Sequence, residues 1–155
     1  MTQILWIIGI VILIYFLGFI VTPNHIFYTK IRKTKHLENI AKKLKSTDNE
    51  KTLKNVYSYV INNFSIEKYN FILQWYKLFF VDVEKLLKRK QFAQCTLQNL
   101  VLITLLINTG QFKESDFKRK WTITHRIVLH QYVLVKIKDK IFRLDPLLRK
   151  IEHNP

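Results

Sequence analysis

Three residues of this 155-residue chain are of the types that thiol chemistry needs. Cys95 is the single cysteine, and the segment "HQYVLVKIKDKIFRLDP" begins with His130 and has Asp145 near its end. A thiol nucleophile needs a base that can take up a proton near neutral pH, and that base needs a third group to orient it. The sequence supplies one of each type, so the elements around them must decide whether they can meet.

The segment that starts at His130 alternates in the manner of a strand, with the turn "KDK" leading into a second strand. Its two faces are lined by Val133, Val135 and Ile137 and by His130, Tyr132 and Leu134. His130 and Asp145 are about equally far from the turn, so we expect them to be cross-strand neighbours joined by an imidazole–carboxylate hydrogen bond. The aspartate would fix the imidazole tautomer and stabilise its charged form. His125, in the preceding strand "WTITHRIV", is a competing base, although no aspartate follows it at a matching distance.

Cys95 precedes residues 97–107, which are apolar almost all round. This pattern predicts a helix buried on every side and ended by "NTG". At the start of such a helix, the dipole and the unpaired N–H groups favour a thiolate and suit an oxyanion. We expect the Cys95 N–H to bind that oxyanion, with Gln94 or Gln91 as a second donor. The alternative is that Cys95 only fills space, as buried free cysteines often do.

The region before Cys95 has helical periodicity. One apolar face after the break "STDNEK" consists of Leu53, Val56, Tyr57, Val60 and Phe64. A second aromatic helix is predicted across "EKYNFILQWYKLFF", and Asp82 is expected to cap a short helix over residues 83–90. Helices followed by an antiparallel sheet make an α+β fold.

The N-terminal segment "ILWIIGIVILIYFLGFIV", residues 4–21, is continuously apolar, and we expect it to form a transmembrane helix. A cleaved signal peptide does not fit, because a basic start and a small-residue cleavage site are missing. A buried hydrophobic helix is the alternative. The basic residues Lys30, Arg32, Lys33 and Lys35 follow the apolar segment. They predict a single-pass membrane protein with its C-terminal domain in the cytoplasm, and contact of these residues with anionic lipid.

Composition limits the remaining classes. The chain has 26 Lys and Arg against 11 acidic residues, a net charge of +15, which favours polyanionic neighbours. No helix-turn-helix, zinc-finger or RNP-type pattern is present, which makes nucleic acid the less favoured partner. One cysteine excludes an intramolecular disulfide and a thiolate-rich metal site, and thiol chemistry needs no metal or organic cofactor.

The order of cysteine at a helix start, histidine on a strand and a final Asp-Pro resembles the transglutaminase-like superfamily of papain-like thiol enzymes. "HQYVLVKIKDKIFRLDP" is similar to its histidine and aspartate strands, "VEKLLKRKQFAQC" resembles the segment that leads to its cysteine, and "VYSYVINNF" resembles its preceding helix. The likeness covers about residues 53–147. The family usually has glycine where Ala93 stands, and a small residue and tryptophan where Gln131 and Tyr132 stand. Bacteriocin-processing thiol peptidases resemble the chain less, because their cysteine and histidine lie farther apart in sequence.

The resemblance implies a nucleophile at Cys95, a base at His130 and an orienting acid at Asp145. They would act on an amide or peptide bond of a protein or peptide through a thioester, and we expect hydrolysis rather than cross-linking. The expected organisation is a transmembrane anchor (1–24), a basic juxtamembrane linker (25–50) and a transglutaminase-like domain (51–155) of helices packed on a short antiparallel sheet. The alternatives are a catalytically inactive membrane adaptor with the same fold and a membrane-tethered nucleic-acid-binding protein. A partly exposed thiol beside His130 would favour the enzyme.

Overall fold

The computed structural model describes residues 2–27, 31, 33–66, 81–89, 91–92, 95–124 and 128–154. Its helices come before its main sheet, which is the expected α+β order. The helices are α1 (Thr2–Phe27), α2 (Lys35–Leu44), α3 (Asn49–Asn63), α4 (Val83–Leu87) and α5 (Cys95–Asn108). The strands are β1 (Ser65–Ile66), β2 (Gln91–Phe92), β3 (Phe117–Thr124), β4 (Val128–Ile137), β5 (Lys140–Asp145) and β6 (Lys150–Asn154).

The N-terminal apolar segment is helical, but its expected role is corrected. Of the helices in the described ranges, none combines the length and the apolar character that crossing a membrane requires. This finding overturns the predicted transmembrane anchor and the predicted single-pass localisation with a cytoplasmic domain. The prediction rested on the hydropathy of residues 4–21 alone.

The basic segment after α1 contains part of the packed domain. Thr34 caps α2 by accepting a hydrogen bond from the Leu37 N–H. Leu37 and Ala41 are fully buried, and α2 packs against α5, so the linker expected over residues 25–50 includes a helix of the core. Lys33 and Lys35 are exposed, whereas residues 30 and 32 lie outside the described ranges. Contact of this segment with anionic lipid therefore stays a prediction.

Helices α3 and α5 form the centre of the core, as their periodicity predicts. Asp48 caps α3 by accepting from the Lys51 N–H, and the helix buries the expected face from Leu53 to Phe64. From Thr96 to Asn108 every residue of α5 is buried. The helix ends where predicted, because Gly110 adopts a φ of +76°, a conformation that glycine accepts most readily. Asp82 likewise caps α4.

The main sheet is antiparallel with strand order β3-β4-β5-β6. Val133 and Val135 on β4 and Leu144 on β5 are fully buried toward the helices. Strand β3 begins at Phe117, four residues before the predicted strand "WTITHRIV". The first four residues, "FKRK", do not alternate between apolar and polar, so hydropathy does not mark them as part of a strand. A short parallel ladder also joins β1 and β2.

Two sequence predictions lie outside the described residues. The aromatic helix expected across "EKYNFILQWYKLFF" covers residues 67–80, and the competing base His125 falls in residues 125–127.

Candidate active site

The structure brings His130 and Asp145 together at the end of the β4–β5 hairpin. His130 Nε2 lies 2.8 Å from Asp145 Oδ1, and both side chains are almost completely buried. The strands pair from Ile137 and Lys140 as far as Val133 and Leu144. Continuing that register would place Tyr132 opposite Asp145. His130 therefore reaches Asp145 diagonally on the same sheet face, which is still within side-chain reach, rather than directly across.

Asp145 is held in place through both its backbone and its side chain. Its carboxylate Oδ1 also accepts a hydrogen bond from the Leu148 N–H at 3.1 Å, in the turn after β5. The Tyr57 hydroxyl of α3 lies 2.9 Å from the Asp145 carbonyl oxygen and 3.0 Å from that of Lys150. Burial, followed by the charge of Asp145, raises the pKa of Tyr57, so the hydroxyl keeps its proton as a donor. Helix α3 thus fixes the point at which β5 ends.

Cys95 is the first residue of α5 and is partly exposed. Because β5 stops pairing with β4 at Val133, the backbone of Gln131 is open to α5. Its N–H points to Cys95 Sγ, 3.5 Å away, and its carbonyl accepts from Asn99 Nδ2 at 2.8 Å. Cys95 and Asn99 are one turn apart on α5, so a single helix face meets the strand residue that follows His130.

The protonation of His130 reflects both neighbours. Burial alone would lower its pKa, but the hydrogen bonds to Asp145 and Cys95 and the charges of both groups outweigh burial and raise the pKa to about 9. Asp145 occupies Nε2, which leaves Nδ1 as the ring nitrogen open to the thiol. That nitrogen has no ordinary hydrogen bond to a described residue. Catalytic hydrogen bonds often tighten only when substrate binds.

A third charged group stands next to the pair. Arg143 Nη2 lies 3.9 Å from Asp145 Oδ2, an ion-pair distance rather than a hydrogen bond. The same guanidinium lies 4.1 Å from the centre of the Tyr132 ring and 3.4 Å from a Glu152 carboxylate oxygen. Arg143 is partly exposed, so it links the buried pair to the surface of the sheet.

The expected oxyanion donors are only partly described. The Cys95 N–H is at the start of α5, where helical N–H groups have no partner within the helix. Gln91 is an exposed residue of β2, and Gln94 lies outside the described residues. In the described part of the chain, no cluster of His, Cys, Asp and Glu side chains is arranged to hold a metal ion.

The sequence did not point to the residues that support Cys95, His130 and Asp145. Tyr57 was assigned to an aromatic core face, yet its hydroxyl binds a carbonyl 88 residues away. Asn99 interrupts the apolar helix α5, and a fully buried amide in such a helix is the signal that could have revealed it. Comparison with known proteins adds nothing to this picture, because no family model, no curated protein and no solved structure matches the chain.

Proposed function

We propose that this protein is a thiol hydrolase of the transglutaminase-like type that cleaves an amide or peptide bond of a protein or peptide. One observation carries the proposal: a fully buried histidine is held by a carboxylate through Nε2, and the backbone N–H of the next residue, Gln131, points to a partly exposed thiol. This is the arrangement that a nucleophile, a base and an orienting acid require.

The raised pKa of His130 defines the resting state of the site. A histidine that holds its proton at neutral pH, beside a thiol at a helix N-terminus, favours the thiolate–imidazolium pair. The Gln131 N–H donates to the same sulfur and stabilises its negative charge. In this state the sulfur is already the nucleophile, and the imidazolium already holds the proton that the leaving group needs.

The reaction then follows from the positions of these groups. Cys95 Sγ attacks the carbonyl carbon, and the Cys95 N–H stabilises the oxyanion. The C–N bond breaks as His130 gives its proton to the leaving amine, which leaves a thioester on Cys95. Water then attacks the thioester while His130 takes its proton. The carboxylic acid leaves, and the thiolate–imidazolium pair is restored.

An inactive adaptor with the same fold is the rival. It predicts a thiol sealed by apolar side chains, whereas Cys95 is partly exposed and its sulfur accepts from the N–H of Gln131, the residue after His130. A structural role for Cys95 would not require either property. These two observations support the enzyme.

The test is the pH dependence of alkylation of Cys95 by iodoacetamide. The full-length chain is kept in a mild non-ionic detergent, because the described apolar side chains of α1 are exposed. Rapid labelling near pH 6 that slows in His130→Ala is expected, with His153→Ala, an exposed histidine on β6, as the matched control. Labelling that rises only above pH 8 in every variant would refute the proposal.

A second measurement tests the covalent step. An activated peptide ester should add one acyl group to the wild-type chain, seen by intact mass, and none to Cys95→Ser. Release of the acyl group should slow in His130→Ala, because water then lacks its base. An acyl adduct that also forms on Cys95→Ser would show that another residue reacts.

A further inference from the structure

The sheet has two faces with opposite character. Directly paired residues of antiparallel strands lie on the same face, so the register sorts the side chains. One face carries Val133, Val135, Phe142 and Leu144 and packs on the helices. The other, which we call the outer face, carries Lys118, Lys120 and Thr122 of β3, His130, Tyr132, Leu134 and Lys136 of β4, Arg143 and Asp145 of β5, and Lys150 and Glu152 of β6.

The outer face is strongly basic. Its cationic side chains are Lys118, Lys120, Lys136, Arg143 and Lys150, and each is exposed or partly exposed. Glu152 is its exposed acid and is paired with Arg143, whereas Asp145 is buried against His130. Lysines at every second position of β3 do not neutralise one another, so the face keeps a positive potential that attracts negative groups.

This face is continuous with the proposed site. Successive outward residues of β4 run from His130 to Tyr132, Leu134 and Lys136 in steps of about 7 Å, since a strand rises about 3.4 Å per residue. Lys120 pairs with Tyr132, and Lys118 pairs with Leu134. A bound segment that follows β4 would therefore pass from Lys118 and Lys120 to the His130 end of the strand.

The aromatic ring on this face is already occupied. The Arg143 guanidinium lies 4.1 Å from the Tyr132 ring centre. Single-stranded nucleic acid binds such surfaces by stacking its bases on open aromatic faces, and Arg143 already covers one face of Tyr132. A polypeptide needs only charge pairing and a shallow apolar contact, and partly exposed Leu134 supplies that contact.

We propose that the outer face is a docking surface for an acidic stretch of polypeptide, which is part of the substrate that the Cys95 site cleaves. Only the identification of this stretch as a substrate rests on the proposed function; the binding itself does not. Carboxylates of the stretch would pair with Lys118 and Lys120, and the bond to be cleaved would lie toward His130. The substrate class is thus a protein or peptide with Asp or Glu residues on one side of the scissile bond.

The experiment measures anisotropy of a fluorescent oligo-glutamate peptide with the full-length Cys95→Ala chain at low salt. The variant is Lys118→Glu with Lys120→Glu, and the matched control is Lys51→Glu with Lys54→Glu, two exposed lysines of α3 that change the net charge equally. We expect the sheet variant to bind about tenfold more weakly and the control to change less than about twofold. Binding to the Cys95→Ala chain should fade as salt is raised, because exposed charges are screened.

Three results would overturn the proposal: no binding of oligo-glutamate, equal weakening by the control, or tighter binding of oligo-dT or phosphatidylserine vesicles through the same lysines. If Lys118→Glu with Lys120→Glu does not give the wild-type circular dichroism spectrum, Lys118→Gln with Lys120→Gln takes its place, with about threefold weakening expected. Failure of the proposed function is distinguishable, because binding needs no thiol. Conversely, iodoacetamide should label Cys95 equally well in the sheet variant, whether or not the oligo-glutamate peptide binds.

Discussion

The buried His130 makes the stability of the fold depend on pH in a defined window. Its pKa is about 9 in the folded chain against 6.5 for an ordinary histidine. A raised pKa means that the folded state holds the proton more tightly than the unfolded chain. The stabilisation is therefore fully present below pH 6.5 and is lost as the pH rises through 9.

The size of the effect follows from the same two values. One pKa unit corresponds to about 1.4 kcal/mol, so the difference between pH 6.5 and pH 9 amounts to roughly 3 kcal/mol at most. Part of it comes from Cys95. A Cys95→Ala chain should keep the contribution of Asp145 and lose that of the thiolate, so its pH dependence should be shallower.

The assay is urea unfolding of the full-length chain between pH 6 and pH 9.5, followed by tryptophan fluorescence. The quantity compared is the free energy of unfolding of the wild type minus that of His130→Gln at each pH, which cancels the other titrating groups. The difference should shrink as the pH rises, and His153→Gln, at an exposed histidine of β6, is the matched control. A flat curve for His130→Gln would mean that His130 is not held protonated by its neighbours, and the thiolate–imidazolium argument would fail with it.

Three further changes probe the surroundings of the thiol. Asp145→Asn keeps an acceptor for His130 but removes its charge, so labelling of Cys95 at pH 6 should slow about tenfold or more; an unchanged rate would exclude an electrostatic role. Asn99→Leu leaves the Gln131 carbonyl without its side-chain donor and should lower the free energy of unfolding by about 2 kcal/mol in urea titrations. A loss below about 0.5 kcal/mol would contradict that contact. Leu105→Ala, in the middle of α5, should cost about 3 kcal/mol yet leave the labelling rate of the folded chain unchanged, and a slowed rate would mean that core packing rather than local chemistry sets reactivity.

Local periodicity predicted the two central helices. The faces of α3 and α5 follow from the spacing of Leu53, Val56 and Val60 and from the all-apolar run after Cys95. The pairing of His130 with Asp145 followed from counting outward from one turn. The diagonal offset between His130 and Asp145 could not be predicted by counting, because it depends on where β5 stops pairing with β4. Tyr57, from a helix distant in sequence, fixes that point.

The prediction for the N-terminus went wrong for a different reason. It rested on the hydropathy of residues 4–21 alone, and none of the helices in the described ranges meets the requirements for crossing a membrane. The start of β3 shows another limit, since "FKRK", residues 117–120, has no alternation of apolar and polar residues. Only its pairing with β4 reveals that Lys118 and Lys120 share a face with His130.

The His130–Asp145 pair is costly if stability is its purpose. Removing two ionised groups from water carries a penalty that a pair of well-packed apolar residues would avoid. The exposed pair of Lys140 and Glu50, 3.1 Å apart, is a salt bridge that avoids most of this desolvation penalty. A buried pair is easier to explain as the means of holding a proton beside the sulfur of Cys95. The burial that makes the pair expensive also strengthens its field at the thiol, because fewer water molecules screen it.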